Sequence, residues 1–383
     1  MTQGPQSTAH DSIRRGVSFL VDAEQAVDEL AEKIGATGLN AMVFFCSTNY
    51  DLFAMARAIK RRFKCPTIGC TTAGEILAPE GYLQHSLVGV GFATPEISLA
   101  PNFIPSLTDF VNAPDLSLQF PPATQNNMKS FGLLLIDGLS MLEERTVARI
   151  HQLLNREVPI IGGSAGDGLN FKQTAIYNDG EFHRNAATLA MFSTSLPFKA
   201  FQFQHFTPTE TKLVITEADV ATRSVSEING LPAAAEYARI VGVSSDELCP
   251  PIFAAHQVML KIGDEYYVRA IQKANVDGSL TFYCAIDIGL VLTMGTSEHL
   301  PRQLNRQLTD LVQDMPDVQL ILGCDCILRR LELERHKDLV EVSDILSPYP
   351  FIGFSTYGEQ FGCIHMNQTL TGLAIGAGND SKS

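Results

Sequence analysis

Pro350-Phe351-Ile352-Gly353-Phe354-Ser355-Thr356-Tyr357-Gly358-Glu359 decides how this chain is read, because it occurs in three variant forms. The others are Pro66-Thr67-Ile68-Gly69-Cys70-Thr71-Thr72-Ala73-Gly74-Glu75 and Pro159-Ile160-Ile161-Gly162-Gly163-Ser164-Ala165-Gly166-Asp167. Each reads as a short apolar strand entered through proline, a turn rich in Gly, Ser and Thr, and a carboxylate. An apolar run and a helical pattern precede each copy, at 42–46 and 51–63, 132–137 and 143–154, and 319–324 and 328–339. Another apolar run follows, at 86–90, 187–191 and 371–375. A strand-helix-strand-turn-strand unit is therefore repeated. Three copies at unequal spacing predict a duplicated sheet-and-helix core, not a solenoid.

Working outward, residues 1–13 read as a disordered polar tail, and a first strand extends to Leu20. A helix is predicted over 23–34, where Ala26, Val27, Leu30 and Ile34 fall on one face and Gly35 follows. The stretch 93–130 is weakly periodic and rich in Pro and Asn. Beyond 198 the pattern alternates, with a turn at Asn229-Gly230, a helix from Pro232, and hairpin signals at Gly263-Asp264 and Asp277-Gly278. The expectation is an α/β (α+β) protein of two domains, 14–225 and 226–377. Mixed, largely antiparallel sheets flanked by helices build both, and a four-layer sandwich is one packing that such sheets allow.

A chain of 383 residues exceeds what one core usually serves, and its 45% hydrophobic and 18% charged residues suit a globular protein. Its formal charge of -14 repels polyphosphate backbones, so nucleic acid is not an expected partner. Membrane insertion is not expected either, since no apolar run approaches the roughly 18 residues of a spanning helix. The polar first residues do not resemble a signal peptide, and eight scattered cysteines show no disulfide framework. The expected location is cytoplasmic.

Several residues invite chemistry. The loop from Gly162 to Gly168 looks like a phosphate loop but lacks the Gly-Lys-Ser/Thr ending and the dinucleotide spacing. Its glycines also suit a plain tight turn. Glu75, Asp167 and Glu359 recur at one position of the repeat; they can serve a ligand or bond the amides of their own turns. With Thr71, Ser164 and Ser355 they form the candidate ligand-binding set. Cys324-Asp325-Cys326 is too closely spaced for zinc. Cys326 as a nucleophile would need an oriented histidine, with Arg329 and Arg330 able to lower its pKa.

The repeated residues, with Asn178-Asp179-Gly180 and Ile228-Asn229-Gly230-Leu231-Pro232-Ala233, resemble a FIST N-terminal domain. The segment from Gly353 to Glu359, with Asn367-Gln368-Thr369-Leu370, resembles a FIST C-terminal domain. The resemblance implies a sensory, ligand-binding protein of signal transduction that is not an enzyme. It implies in its sharper form a haem b sensor of nitric oxide, of the kind that regulates a partner histidine kinase and biofilm behaviour. The candidate iron ligands are His183, His256 and His365, chosen for their nearness to repeat elements. A small-metabolite sensor and a scaffold without ligand are the alternatives.

Overall fold

The computed structural model describes residues 12–112, 117–121, 128–154 and 158–378. Apart from its last two residues, the expected tail lies outside them. Both bodies are mixed or antiparallel sheets with helices against them, as the sequence predicts.

The repeated unit is larger than the sequence pattern indicates. In the first unit an edge strand Ile13–Ser18 and a helix Ala23–Ile34 precede the lead strand Ala41–Cys46. The helix Leu52–Arg62, second strand Thr67–Thr71, hairpin Glu75–Leu77/Gly81–Leu83 and closing strand Leu87–Phe92 complete it. The second unit repeats this order. Its edge strand is Ile97–Ile104, its lead and second strands Lys129–Ile136 and Ile160–Ser164, its hairpin Ile176–Asn178/Glu181–His183 and its closing strand Ala187–Thr194. The third has edge strand Phe198–Gln204, lead strand Val318–Cys326, second strand Phe351–Thr356, hairpin Glu359–Phe361/Ile364–Met366 and closing strand Thr369–Gly376.

Each unit forms a four-stranded sheet in the order edge, closing, lead, second, with lead and second strands parallel and the other pairs antiparallel. The fifth and sixth strands come from elsewhere. The first unit's hairpin pairs with the third unit's second strand, Phe354 lying opposite Glu75. The third unit's hairpin pairs with the second unit, Glu359 opposite Gly163, and the second unit's hairpin with the first, Ile176 opposite Cys70. The hairpins are thus exchanged around a closed ring.

Alternation along the strands builds the core. Val43 and Phe45, Leu133 and Leu135, and Leu320 and Leu322 face a common centre shared by all three sheets. Met42 and Phe44, Leu134 and Ile136, and Ile321 face the helices outside. Burial on both faces explains why these strands read as continuous apolar runs. The sheets close as three sides of a prism, and the four-layer sandwich is not formed. Phe45 and Phe354, from different sheets, stack inside it with ring centroids 4.3 Å apart.

The second body is inserted into the third unit. The chain leaves after Gln204 and returns at the helix Leu300–Asp314. Between them lies an antiparallel sheet running from Phe206 to Ser297, with helices Ala233–Val241 and Pro250–Ala255 and a core around Ile215, Tyr237 and Leu292. Asn229 and Gly230 both have positive φ, 56° and 75°, at the predicted two-residue turn. The sequence division at 225/226 falls inside the strand Ser224–Ile228 of this sheet.

Candidate functional site

The three repeated turns meet at the carboxyl ends of the lead and second strands. Thr71 and Ser164 end their second strands, Ser355 is the last residue but one of its own, and each is fully buried. Their backbones lock one turn to the next. Gly166 N donates to Thr71 O at 3.0 Å, Ser355 N to Gly74 O at 2.7 Å, and Ser164 N to Gly358 O at 2.8 Å. These three positions close the ring on the inside, away from solvent.

Glu75 and Glu359 occupy one structural position. Glu75 accepts from Thr72 Oγ1 and, at 2.7 Å, from Ser86 Oγ; Glu359 accepts from Thr356 Oγ1 and, at 2.8 Å, from Thr369 Oγ1. Burial pushes their pKa values up to about 7 and about 8 despite these donors. Asp167 does not share the position, which Ile176 fills by strand register. Asp137 supplies the missing carboxylate from the end of the lead strand, accepting from Thr174 Oγ1 and Asn185 N. Its signal in the sequence is the polar residue that ends the run Leu133-Leu134-Leu135-Ile136.

Asp167 orders a loop instead. Its carboxylate accepts from Phe171 N at 2.9 Å, Lys172 N at 2.7 Å and Gln173 N at 2.7 Å, and from Tyr357 Oη. Phe171, in the left-handed region at φ 51°, is thereby stacked on Tyr357 with ring centroids 4.7 Å apart.

Phe171 and Tyr357 form one wall of a cavity of about 490 Å³ between the prism and the inserted sheet. Gly138, Leu139 and Glu143 come from the second unit; Arg223, Lys273, Asn275, Ser279 and Tyr283 come from the inserted sheet. Arg223 is 6% exposed and joins the bodies. It donates to Glu143 at 2.8 Å and Glu144 at 2.9 Å, and to Tyr283 O. Both glutamates sit in the first turn of the helix Glu143–Leu153, where carboxylates also meet the positive helix end. Burial pushes the Glu143 carboxyl up to about 7, with Arg223 opposing and Glu144 adding to the rise. Sequence reasoning missed Arg223, which is an isolated arginine after a weak turn.

The FIST N domain profile matches residues 40–231, half of the chain, and the FIST C domain profile matches 233–362. The chain belongs to the FIST family. No curated protein matches it. FIST domains are associated with sensing in signal transduction. In this FIST protein no helix among the described residues is long and apolar enough to cross a membrane.

The FIST chain separates the three histidines. His183 lies on the outer hairpin with its ring 4.7 Å from that of Phe103 and 3.8 Å from Glu181. His256 follows the helix Pro250–Ala255, and its carbonyl accepts from Tyr237 Oη at 2.6 Å. His365 is buried, with Nδ1 3.1 Å from Gln360 Nε2, and burial pushes its pKa down to about 4. None of the three lines the 490 Å³ cavity, or the more apolar 400 Å³ one beside Leu328 and Leu331. Cys326 is buried without exposed surface, and burial holds its thiol well above the usual range. Arg329 and Arg330 do not lower it; they pair with Asp325 at 2.7 Å and Glu334 at 3.0 Å.

Proposed function

We propose that this FIST protein is a sensor that binds a small polar ligand, without turning it over, in the cavity between the prism and the inserted sheet. The observation that carries the reading is Arg223. It lines a cavity of about 490 Å³ and at the same time ties the inserted sheet to Glu143 and Glu144. That volume falls within the roughly 300–1,000 Å³ of small-molecule sites. Polar groups at Lys273, Asn275 and Ser279 and the rings of Phe171 and Tyr357 supply hydrogen bonds and a flat surface. A ligand that competes for the guanidinium, or adds contacts across the gap, shifts the balance between closed and open arrangements of the two bodies. A separate signalling protein, such as a histidine kinase, would read that shift.

The haem version does not fit the three histidines, because none of them faces either of these cavities. His336 is the imidazole that lines the apolar cavity, beside Leu331 and Arg335. An absorption spectrum after expression with added haem tests that version. A stoichiometric Soret band that shifts with nitric oxide and is lost in His336→Ala supports it; a colourless chain that refuses hemin removes it.

The metabolite reading is tested by native mass spectrometry of the intact chain purified under mild conditions. A small-molecule adduct is expected on the parent chain, and its persistence in Thr222→Trp, which fills the mouth of the cavity, would count against this site.

A further inference from the structure

Beside Arg223 lies a second group of side chains, which shares only Glu144 with the clamp described above. Glu144, Cys284 and His365 come from the second unit's helix, the inserted sheet's returning segment and the third unit's hairpin. Their donor atoms all lie within 4.8 Å of one another. We propose that Glu144, Cys284 and His365 form a binding site for one divalent transition-metal ion of the zinc class.

The donor types suit that ion: a thiolate, an imidazole nitrogen and a carboxylate oxygen are its usual ligands. Tetrahedral zinc with bonds of about 2.0–2.3 Å places donors about 3.3–3.6 Å apart, so side-chain adjustments of an ångström or less close the site. Three protein donors leave the fourth position for water. The surroundings also match. Glu144 is already oriented by Ala285 N and by Arg223 at 2.9 Å, as ligating carboxylates are.

Gln360 is the independent sign. It has no exposed surface, its Nε2 lies 3.1 Å from His365 Nδ1, and its Oε1 has no hydrogen-bond partner. Turning the amide over lets Oε1 accept from a protonated Nδ1, which fixes the tautomer and frees Nε2 for the metal. The amide nitrogen also donates to Ser164 Oγ at 3.0 Å and to Gly358 O at 3.4 Å. With the amide turned, Ser164 Oγ can donate to Oε1, and Gly358 O keeps Ser164 N at 2.8 Å as its donor. The ion's charge is tolerable despite Arg223 and Arg269 nearby. Binding releases the proton that Cys284 Sγ otherwise donates to Asn367 Oδ1, so Cys284 and Glu144 bring two negative charges to the ion's two positive ones, while Glu143 stays paired with Arg223 at 2.8 Å. Glu144 keeps 22% of its side chain exposed, which gives the ion a way in.

Equilibrium dialysis of the intact chain against Zn²⁺, followed by elemental analysis, is expected to give one retained ion per chain. Co²⁺ in its place should give thiolate-to-metal charge transfer and the visible bands of a four-coordinate ion. Cys284→Ser should abolish the charge-transfer band. Gln360→Leu, which leaves all three donors in place, should weaken binding about ten- to hundredfold. The exposed group His299, Asp338 and Glu341 contains no sulfur, so cobalt held there gives no thiolate band. No retained cobalt, cobalt without that band on the unaltered chain, or a band that survives Cys284→Ser overturns the proposal. The first two readings need no variant to fold.

Discussion

Glu359 is a carboxyl group with no exposed surface, encircled by Thr356 Oγ1, Thr369 Oγ1 and Thr369 N. Those donors favour the charged form, but desolvation wins and lifts the pKa from 4.5 to about 8. The folded chain therefore keeps a proton that the unfolded chain loses. Stability is fully present below pH 4.5, falls as pH rises through 8, and levels off beyond. Glu75 adds the same trend up to about pH 7. In Glu359→Gln the dependence should flatten, so that urea midpoints of parent and variant diverge in the variant's favour between pH 6 and 9; parallel curves would refute the assignment. This acid pair was legible in the sequence as the Gly-Glu at the end of two turns. Asp167 looked like the third member because sequence spacing cannot show strand register. The insertion of the loop at 168–175 moves the equivalent position to Ile176, and Asp137 reaches the place from another strand.

Hairpin exchange is the device that holds the elements together. Each unit's sheet lacks its last two strands until a neighbour supplies them, so the ring leaves the second strands Thr67–Thr71, Ile160–Ser164 and Phe351–Thr356 paired on both sides. Covered edges resist pairing with other chains. The turn contact at Gly166 shows how tight the ring is: a Cβ there would lie 2.6 Å from Ala73 N. Backbone cannot yield as a side-chain tip can, so Gly166→Ala should lower stability by about 1–3 kcal/mol in denaturant titration. An unchanged midpoint would mean that the turns are not locked. The repeat itself was readable from apolar runs buried on both faces. Its partners were not, because antiparallel pairing between distant hairpins leaves no local pattern. The third edge strand, Phe198–Gln204, was hidden for the same reason: it precedes the inserted sheet and reads as part of it.

Across the whole molecule, the inserted sheet meets the prism at Arg223, Glu143 and Glu144. Removing one partner of a buried ion pair strands the other charges, so Arg223→Met should cost about 3–5 kcal/mol. Hydrogen exchange should rise first in the strand Ser224–Ile228 and the first turn of Glu143–Leu153; protection equal to the parent's would show that the clamp is not what joins the bodies. The cavity beside the clamp was invisible in the sequence, because its walls come from residues between 138 and 357 with no shared motif. Thermal unfolding of the intact chain against a panel of small carboxylates, organic phosphates and neutral polyols tests the cavity most directly. A true ligand at a hundredfold over its Kd stabilises by about 2.7 kcal/mol. At least one compound is expected to raise the midpoint of the parent while leaving Thr222→Trp and Lys273→Glu unmoved. Compounds that stabilise the parent and both variants equally would place the sensing site elsewhere and contradict a ligand held between the prism and the inserted sheet.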